Sequence, residues 1–352
     1  MRQGKAPTPI MDKRLRIIGV GSALVDQLAQ VPEAFLATVR GGKGGMVLVD
    51  DAEMAAVLAR LPRPPAQAPG GSAANTAVGA ARLGLPARLL AKVGADANGA
   101  FYRQALDAAG VAGVALKESA DAPTGRCLAL VTPDRQRTMR TCLGASATLS
   151  PAEITVADFA DCALAHIEGY LLFNDALMQH VLATAKAAGC RVSLDLAAPE
   201  IVREKRAVLP RLLREYADIV FANEDEAAEF AGTRDARAAL QQLRACCPTA
   251  AVKLGVRGAL IAHGNEVCEV PARVVKAVDT TGAGDLWAAG FLYGLLNGLS
   301  PYDAGCCGAW AGAEVVQVTG AVIPEQGWQR LRCEIAALKP RPAPRKLRRA
   351  GT

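Results

Sequence analysis

Hydrophobic positions recur with different periods along this chain, and the change of period divides it. Arg16-Ile17-Ile18-Gly19-Val20-Gly21 is apolar after its first residue, which predicts a buried strand. The stretch 23–31 alternates instead, predicting an extended strand with Asp26 on one face. Residues 41–50 read as a turn and a strand, and 126–131 with 136–143 as a hairpin through Pro133-Asp134. These pieces predict a small sheet apart from the main body. Between them, 72–83 is an alanine-rich helix and 101–109 another. From about residue 160 the rhythm becomes strand then helix. Strands are predicted at 163–168, 191–196, 218–222, 250–254 and 259–263, with helices near 175–188, 201–216, 224–231 and 235–245. Ser300-Pro301 opens a late helix, with proline in the first turn, where its missing N–H costs nothing. Such alternation means α/β architecture: parallel strands joined by crossover helices. In such sheets ligands gather beyond the carboxyl ends of the strands.

At 352 residues and 51% hydrophobic, the chain can bury the core of one large domain, with or without a small appendage. The net charge of +6 sits at one end: Lys339, Arg341, Arg345, Lys346, Arg348 and Arg349 are accompanied by no acid. Residues 1–14 are therefore read as an extension, 15–335 as the domain, and 336–352 as a basic tail whose composition predicts disorder. With aromatics at 4% there is no stacking platform for single strands, and no nucleic-acid partner is expected. Ten cysteines without a C-x-x-C, and three histidines, offer no zinc spacing; reduced thiols fit a cytoplasmic protein. The first residues lack the apolar core of a signal peptide, and the run Leu286 to Tyr302 is too interrupted to span a bilayer. A soluble protein with no membrane partner is expected.

The chemistry concentrates in Asp279-Thr280-Thr281-Gly282-Ala283-Gly284-Asp285, followed by an apolar run that reads as a buried helix. Glycines let the backbone turn with its amides uncovered, and the first N–H groups of a helix favour an anion such as phosphate. A carboxylate beside a phosphate site suits a base for an attacking hydroxyl; a helix-capping aspartate is the competing reading. Gly70-Gly71-Ser72-Ala73-Ala74-Asn75 is a second glycine turn opening a helix, with Asn75 one turn in. Its amide can both donate to and accept from a hydroxyl, while Asp26 offers an acceptor for vicinal hydroxyls. Asn223-Glu224-Asp225-Glu226 places an amide and a carboxylate three apart at a strand end, oxygen donors that suit magnesium through water or simply cap a helix. Lys253-Leu254-Gly255 leads from a strand into a glycine turn, either a nucleotide edge or a plain hairpin. Gly19-Val20-Gly21-Ser22-Ala23-Leu24 lacks the third glycine of a dinucleotide fingerprint, and Gly42-Lys43-Gly44 lacks the hydroxyl of a P-loop.

Taken together, these motifs resemble the PfkB/ribokinase family of carbohydrate kinases over roughly residues 15–325. The two glycine turns match the family's early and late signatures, and Asn223 with Glu226 fits its N-x-x-E. The resemblance implies a doubly wound, mostly parallel sheet flanked by helices, with a small β-sheet lid from segments near 22–50 and 124–145. It implies Asp285 as base, with the Gly282, Ala283 and Gly284 amides as the anion hole. Ser22, Asp26, Gly70, Gly71 and Asn75 would hold the acceptor. Asn223, Lys253, Gly255 and Thr280 would border ATP; Asn223 and Glu226 would organise Mg2+, largely through water. Asp279 and Thr281 are candidates for K+. Gly21 to Asp26 is similar to the G-N-x-L-x-D opening of adenosine kinases, with Ser22 in the asparagine's place, and Arg137 lies where those enzymes carry an arginine for the transferring phosphate. The turn Lys43-Gly44-Gly45-Met46 looks more like bacterial sugar-kinase relatives. The expected activity is ATP-dependent phosphotransfer to the primary hydroxyl of an adenosine-like nucleoside. A kinase of a small sugar (ribose, fructose or a keto-deoxy sugar acid) is the alternative, which the few aromatics nearby, Phe35, Phe101, Tyr170 and Phe173, would suit. A non-catalytic sensor on the same fold is the third reading. The partner expected is a small molecule, the protein being a monomer or a homodimer through the lid.

Overall fold

Strand Arg16–Val20 shows why its run is apolar after Arg16: it lies inside a nine-stranded sheet covered on both faces. A computed structural model describes residues 15–134 and 136–338, so the N-terminal extension and all but the first residues of the basic tail lie outside it. Among the described residues the sheet runs, from one edge, Glu266–Val270, Ala259–His263, Thr249–Lys253, Ile219–Asn223, Arg191–Asp195, Cys162–Glu168, Arg16–Val20, Ala87–Leu90 and Val111–Ala112. Successive side chains alternate between two cores. Ile18 and Val220 pack with the helices Asp175–Ala187, Leu209–Tyr216, Glu224–Ala231 and Ala236–Arg244. Ile17 and Phe221 pack on the other side with Ser72–Leu83, Ala97–Ala109, Ala283–Leu296 and Pro301–Val315.

Pairing is parallel from Thr249–Lys253 through to Val111–Ala112. Ala259–His263 departs from the parallel rhythm and runs antiparallel to Thr249–Lys253, because Leu254 to Gly258 is too short for a crossover. The helix expected over 201–216 is two, Pro199–Glu204 and Leu209–Tyr216. Pro210 has no N–H to donate, and its ring would clash with the carbonyl four residues back, so it is tolerated only in the first turn of a new helix. The helix expected at 101–109 starts earlier, at Ala97, where Asp96 accepts from Gly99 N at 2.8 Å.

A separate five-stranded sheet forms the lid, in the order Met46–Leu48, Arg137–Cys142, Gly125–Val131, Leu24–Gln30, Ala66–Gly70. The lid is larger than the two predicted segments, taking in Ala66–Gly70 and a helix, Asp51–Ala59, whose Met54 and Val57 pack on Leu128 and Leu130. On Leu24–Gln30, Leu24, Asp26 and Leu28 form the less buried face. No helix among the described residues is long and apolar enough to cross a membrane.

Candidate active site

Two glycine turns meet at one carboxylate. Gly282 caps the helix Ala283–Leu296 with φ +72°, and Asp285 lies in that helix's first turn. Gly71 caps Ser72–Leu83 with φ +100°, and a Cβ there would lie 2.1 Å from Ser22 O, so only glycine fits. Ser72 Oγ donates to Asp285 Oδ1 at 2.7 Å and Asn75 Nδ2 donates to Oδ2 at 2.9 Å. Thr76 Oγ1 adds a bond to the Asp285 carbonyl at 3.1 Å, tying the helices together. Burial pushes the Asp285 carboxyl above its ordinary range, against the lowering effect of Asn75 and Ser72, which is the direction a base requires.

The cradle in front of it differs from expectation by one amide. Ala283 N–H donates to Thr280 O at 3.2 Å and is already engaged. Among the described residues, the N–H groups of Gly282, Gly284 and Asp285 itself have no partner in the chain. Unpaired donors at a helix N-terminus, with the dipole behind them, attract an anion.

A cavity of about 570 Å³ opens beside the cradle. Of the predicted residues, Asn223, Glu226, Lys253, Gly255, Thr280, Ala283, Gly284 and Asp285 line it, alongside Val256, Val274 and Val316. Asn223 and Glu226 cap their helix reciprocally: Glu226 Oε2 accepts from Asn223 N at 2.7 Å and Oε1 from Asn223 Nδ2 at 2.6 Å. Burial, with Asp195 adding to it and Lys253 opposing, raises Glu226 to about 7. Lys253 Nζ donates to Asp195 Oδ2 at 2.9 Å.

A second cavity, of about 640 Å³, lies beneath the lid. Ser22 and Gly71 line it with Leu24, Met46, Leu48 and Phe173. The two cavities share Ser72 and Tyr170, so they meet where Ser72 grips Asp285. Gly70 and Asp26 stand just behind this wall, packed so closely that a Cβ on Gly70 would lie 2.4 Å from the Asp26 carboxyl carbon. Burial raises Asp26 to about 7; Arg137 pulls it down while Asp285 and Asp279 push it up.

Arg137 is paired with a carboxylate of the main body. Its Nη1 lies 2.7 Å from Asp279 Oδ1, joining the lid to the loop before the cradle. Asp279 also accepts from Thr281 N at 3.0 Å, from Thr281 Oγ1 at 2.7 Å and from Gly320 N at 2.7 Å. Burial alone would raise Asp279, but these bonds and Arg137 hold it below the usual carboxylate range.

Sequence reasoning missed three participants. Ser72 grips the Asp285 carboxylate; Asp195 holds Lys253; and Glu168 accepts from Ser22 N at 2.8 Å and from Ala73 N at 3.1 Å. Glu168 thereby caps a helix whose N-cap is a glycine, and burial, against those bonds, raises it to about 7. Asp195 and Glu168 each end a parallel strand, and that position was the signal available for both.

Residues 48–327 match the pfkB family carbohydrate kinases. The chain is 30% identical over 337 residues to an adenosine kinase of Saccharomyces cerevisiae, covering 88% of this chain and 97% of that protein. Its structure is similar to that of a probable sugar kinase from Rhizobium etli, with TM-score 0.82 and 34% identity over 92% of this chain and 99% of the other. The adenosine kinase from Sinorhizobium meliloti follows at TM-score 0.80 and 32% identity, covering 90% and 99% of the two chains. With that extent of likeness laid over a gripped carboxylate and an open amide cradle, the chain belongs to the pfkB family of carbohydrate kinases, as an ATP-dependent phosphotransferase.

Proposed function

We propose that this kinase phosphorylates the primary hydroxyl of a nucleoside. The observation that carries the reading is the wall of the cavity under the lid. Phe173, Leu48 and Met46 stand there 57%, 47% and 43% exposed, beside Leu24, Met139 and Leu143. A free sugar, hydroxylated on every side, would leave that surface uncovered, whereas a flat base beside the sugar would bury it. The sparse aromatics had favoured a small sugar. Phe35 and Phe101 pack in the lid and main-body cores, but Tyr170 and Phe173 line the cavity, and methionine and leucine side chains supply the remaining apolar wall.

In this reading Ser22 and Gly71 touch the sugar, with Asp26, Gly70 and Asn75 behind them, and its hydroxyl points at Asp285. Asp285 accepts the proton as the oxygen attacks the γ-phosphorus; the bond to the bridging oxygen breaks and ADP leaves. The Gly282 and Gly284 amides, with that of Asp285, bind the charge that develops on the phosphoryl oxygens. Lid closure keeps water from competing. Gly255 and Thr280 border the nucleotide. Kinases of this family use ATP and Mg2+. The all-oxygen donor set of Asn223 and Glu226 fits that ion through water, and bound there it would neutralise phosphate charge. A K+ site at Asp279 and Thr281 gains no such support: Asp279 already balances a guanidinium and three further donors, and no step is assigned to that ion. Ten unpaired cysteines support a reducing compartment, the cytoplasm. Helix Asp51–Ala59, packed on the lid sheet, supports a monomer over pairing through that face.

The test is a panel of adenosine, other nucleosides, ribose, fructose and 2-keto-3-deoxygluconate. Adenosine or another nucleoside should give the highest kcat/KM, and Phe173→Ala should raise its KM by about tenfold while sparing residual ribose turnover. Higher kcat/KM for a free sugar would overturn the nucleoside reading.

A further inference from the structure

Besides Arg137, which pairs with Asp279 through Nη1, a second largely buried cation stands at the cradle itself. Lys253 ends the strand Thr249–Lys253 and reaches the start of Ala283–Leu296: a Cβ built on Gly284 would lie 3.1 Å from its Nζ. That places the ammonium over the backbone of the cradle, beside the unpaired amides. Lys253, Gly284 and Asp285 line the same cavity.

The lysine is held by a purpose-built support. Asp195 Oδ2 accepts from Nζ at 2.9 Å, while Asp195 Oδ1 accepts from Ala197 N at 3.0 Å. This turn keeps Ala197 at φ +67°, a backbone region that residues with a Cβ rarely occupy and that surrounding structure must enforce. The Nζ also sits 5.9 Å above the ring of Phe221, fixing it from beneath. An ammonium has three donors, and among the described residues only one has a partner in the chain. The side chain is 13% exposed, and that exposure faces the cavity.

We propose that Lys253 is a catalytic residue whose ammonium contacts a non-bridging oxygen of the transferring phosphoryl, with Asp195 as its positioning residue. The inference rests on the phosphotransfer reading and deepens it. As the acceptor oxygen bonds to phosphorus and the bridging bond breaks, the acceptor proton passes to Asp285 and the bridging electron pair leaves with ADP. Lys253 stays protonated throughout and changes only the stability of the crowded negative charge. Burial would discharge it, but Asp195, Glu226 and Asp285 around it hold its pKa above the ordinary value, so the cation persists.

The test compares Lys253→Met and Asp195→Asn with the wild type, using kcat, the acceptor KM, and the Kd values of ADP and of ADP with aluminium fluoride, Mg2+ and acceptor. Removing the ammonium should lower kcat by about 100- to 1000-fold and weaken the aluminium fluoride complex in proportion. ADP affinity and acceptor KM should stay within about threefold. Asp195→Asn should give a smaller loss in the same two quantities. Wild-type kcat, or equal weakening of ADP and the aluminium fluoride complex, would overturn the proposal. Should the uncompensated Asp195 prevent folding, the double variant Lys253→Met/Asp195→Asn removes both charges, and the same outcomes apply. Asp285→Asn serves as the control: if that variant is fully active, the assignment of Asp285 as base within the phosphotransfer reading has failed, independently of Lys253; a wild type with no acceptor-stimulated ADP release would sink the phosphotransfer reading itself.

Discussion

Replacing Asp285 with asparagine separates the two roles an aspartate can play at a helix start. The amide fits the existing grip: its Oδ1 can accept from Asn75 Nδ2, and its Nδ2 can donate to Ser72 Oγ, a hydroxyl that can turn from donor to acceptor. Geometry is thus retained and the base alone is lost. General-base catalysis contributes about 100- to 10,000-fold, equivalent to about 3–5 kcal/mol of barrier. Stability moves the other way. A carboxyl whose folded pKa is raised above its unfolded value costs stability once the pH exceeds that unfolded value, and burial raises Asp285. The neutral amide removes this cost, so at neutral pH the melting temperature should stay level or rise while kcat collapses, the exchange expected of an active-site charge. A cap would behave differently: losing its charge at the helix N-terminus costs about 0.3–1 kcal/mol and leaves turnover intact. Coupled detection of ADP at saturating ATP and acceptor gives kcat, and calorimetry gives the melting temperature. A variant within about tenfold of wild-type kcat, melting about 1–2 °C lower, would refute the base and establish the cap.

The parts of this site that sequence reveals are those where backbone geometry restricts the residue. At Gly71 and Gly282 the positive φ and the crowding by Ser22 O or Ala321 leave no room for a side chain, so the glycine records the turn directly. The two-faced sheet is legible for a similar reason, since Ile17 and Ile18 both meet cores and neither can be polar. Long-range pairings leave no such record. Arg137 and Asp279 lie 142 residues apart, and nothing local announces that the two pair. Glu168 and Asp195 are single acids at strand ends, and their burial and partners exist only in the folded chain. Ala66–Gly70 escaped because Pro69 argues against a strand; it is an edge strand of the lid, where an absent N–H is tolerated. Helix Asp51–Ala59 escaped because Met54 and Val57 alone are buried in an alanine-rich run, too few to mark an apolar stripe.

Two further outcomes are expected. If Arg137 latches the lid to the cradle loop, Arg137→Met and Asp279→Asn should each raise the acceptor KM, and a double-variant cycle in denaturant unfolding should give a coupling of about 1–3 kcal/mol; coupling below about 0.5 kcal/mol would mean the pair does not latch the lid. The second outcome is a fall in the melting temperature of the ligand-free protein as pH rises above 6.5. Asp26, Glu168 and Glu226 are each raised to about 7, chiefly by burial, from 3.8 for the aspartate and 4.5 for the glutamates. Their folded forms therefore hold protons that the unfolded chain has already released, and stability falls as pH climbs through the folded values. His166 has the opposite sign, because burial lowers it from 6.5 to about 4 and stability rises with pH between those values, but that gain is nearly complete at 6.5. Above that point the three acids act unopposed by it, so calorimetry at steps from there to about pH 8 should show a steady decline. A level or rising melting temperature over that window would mean that the three carboxyls are solvated rather than buried.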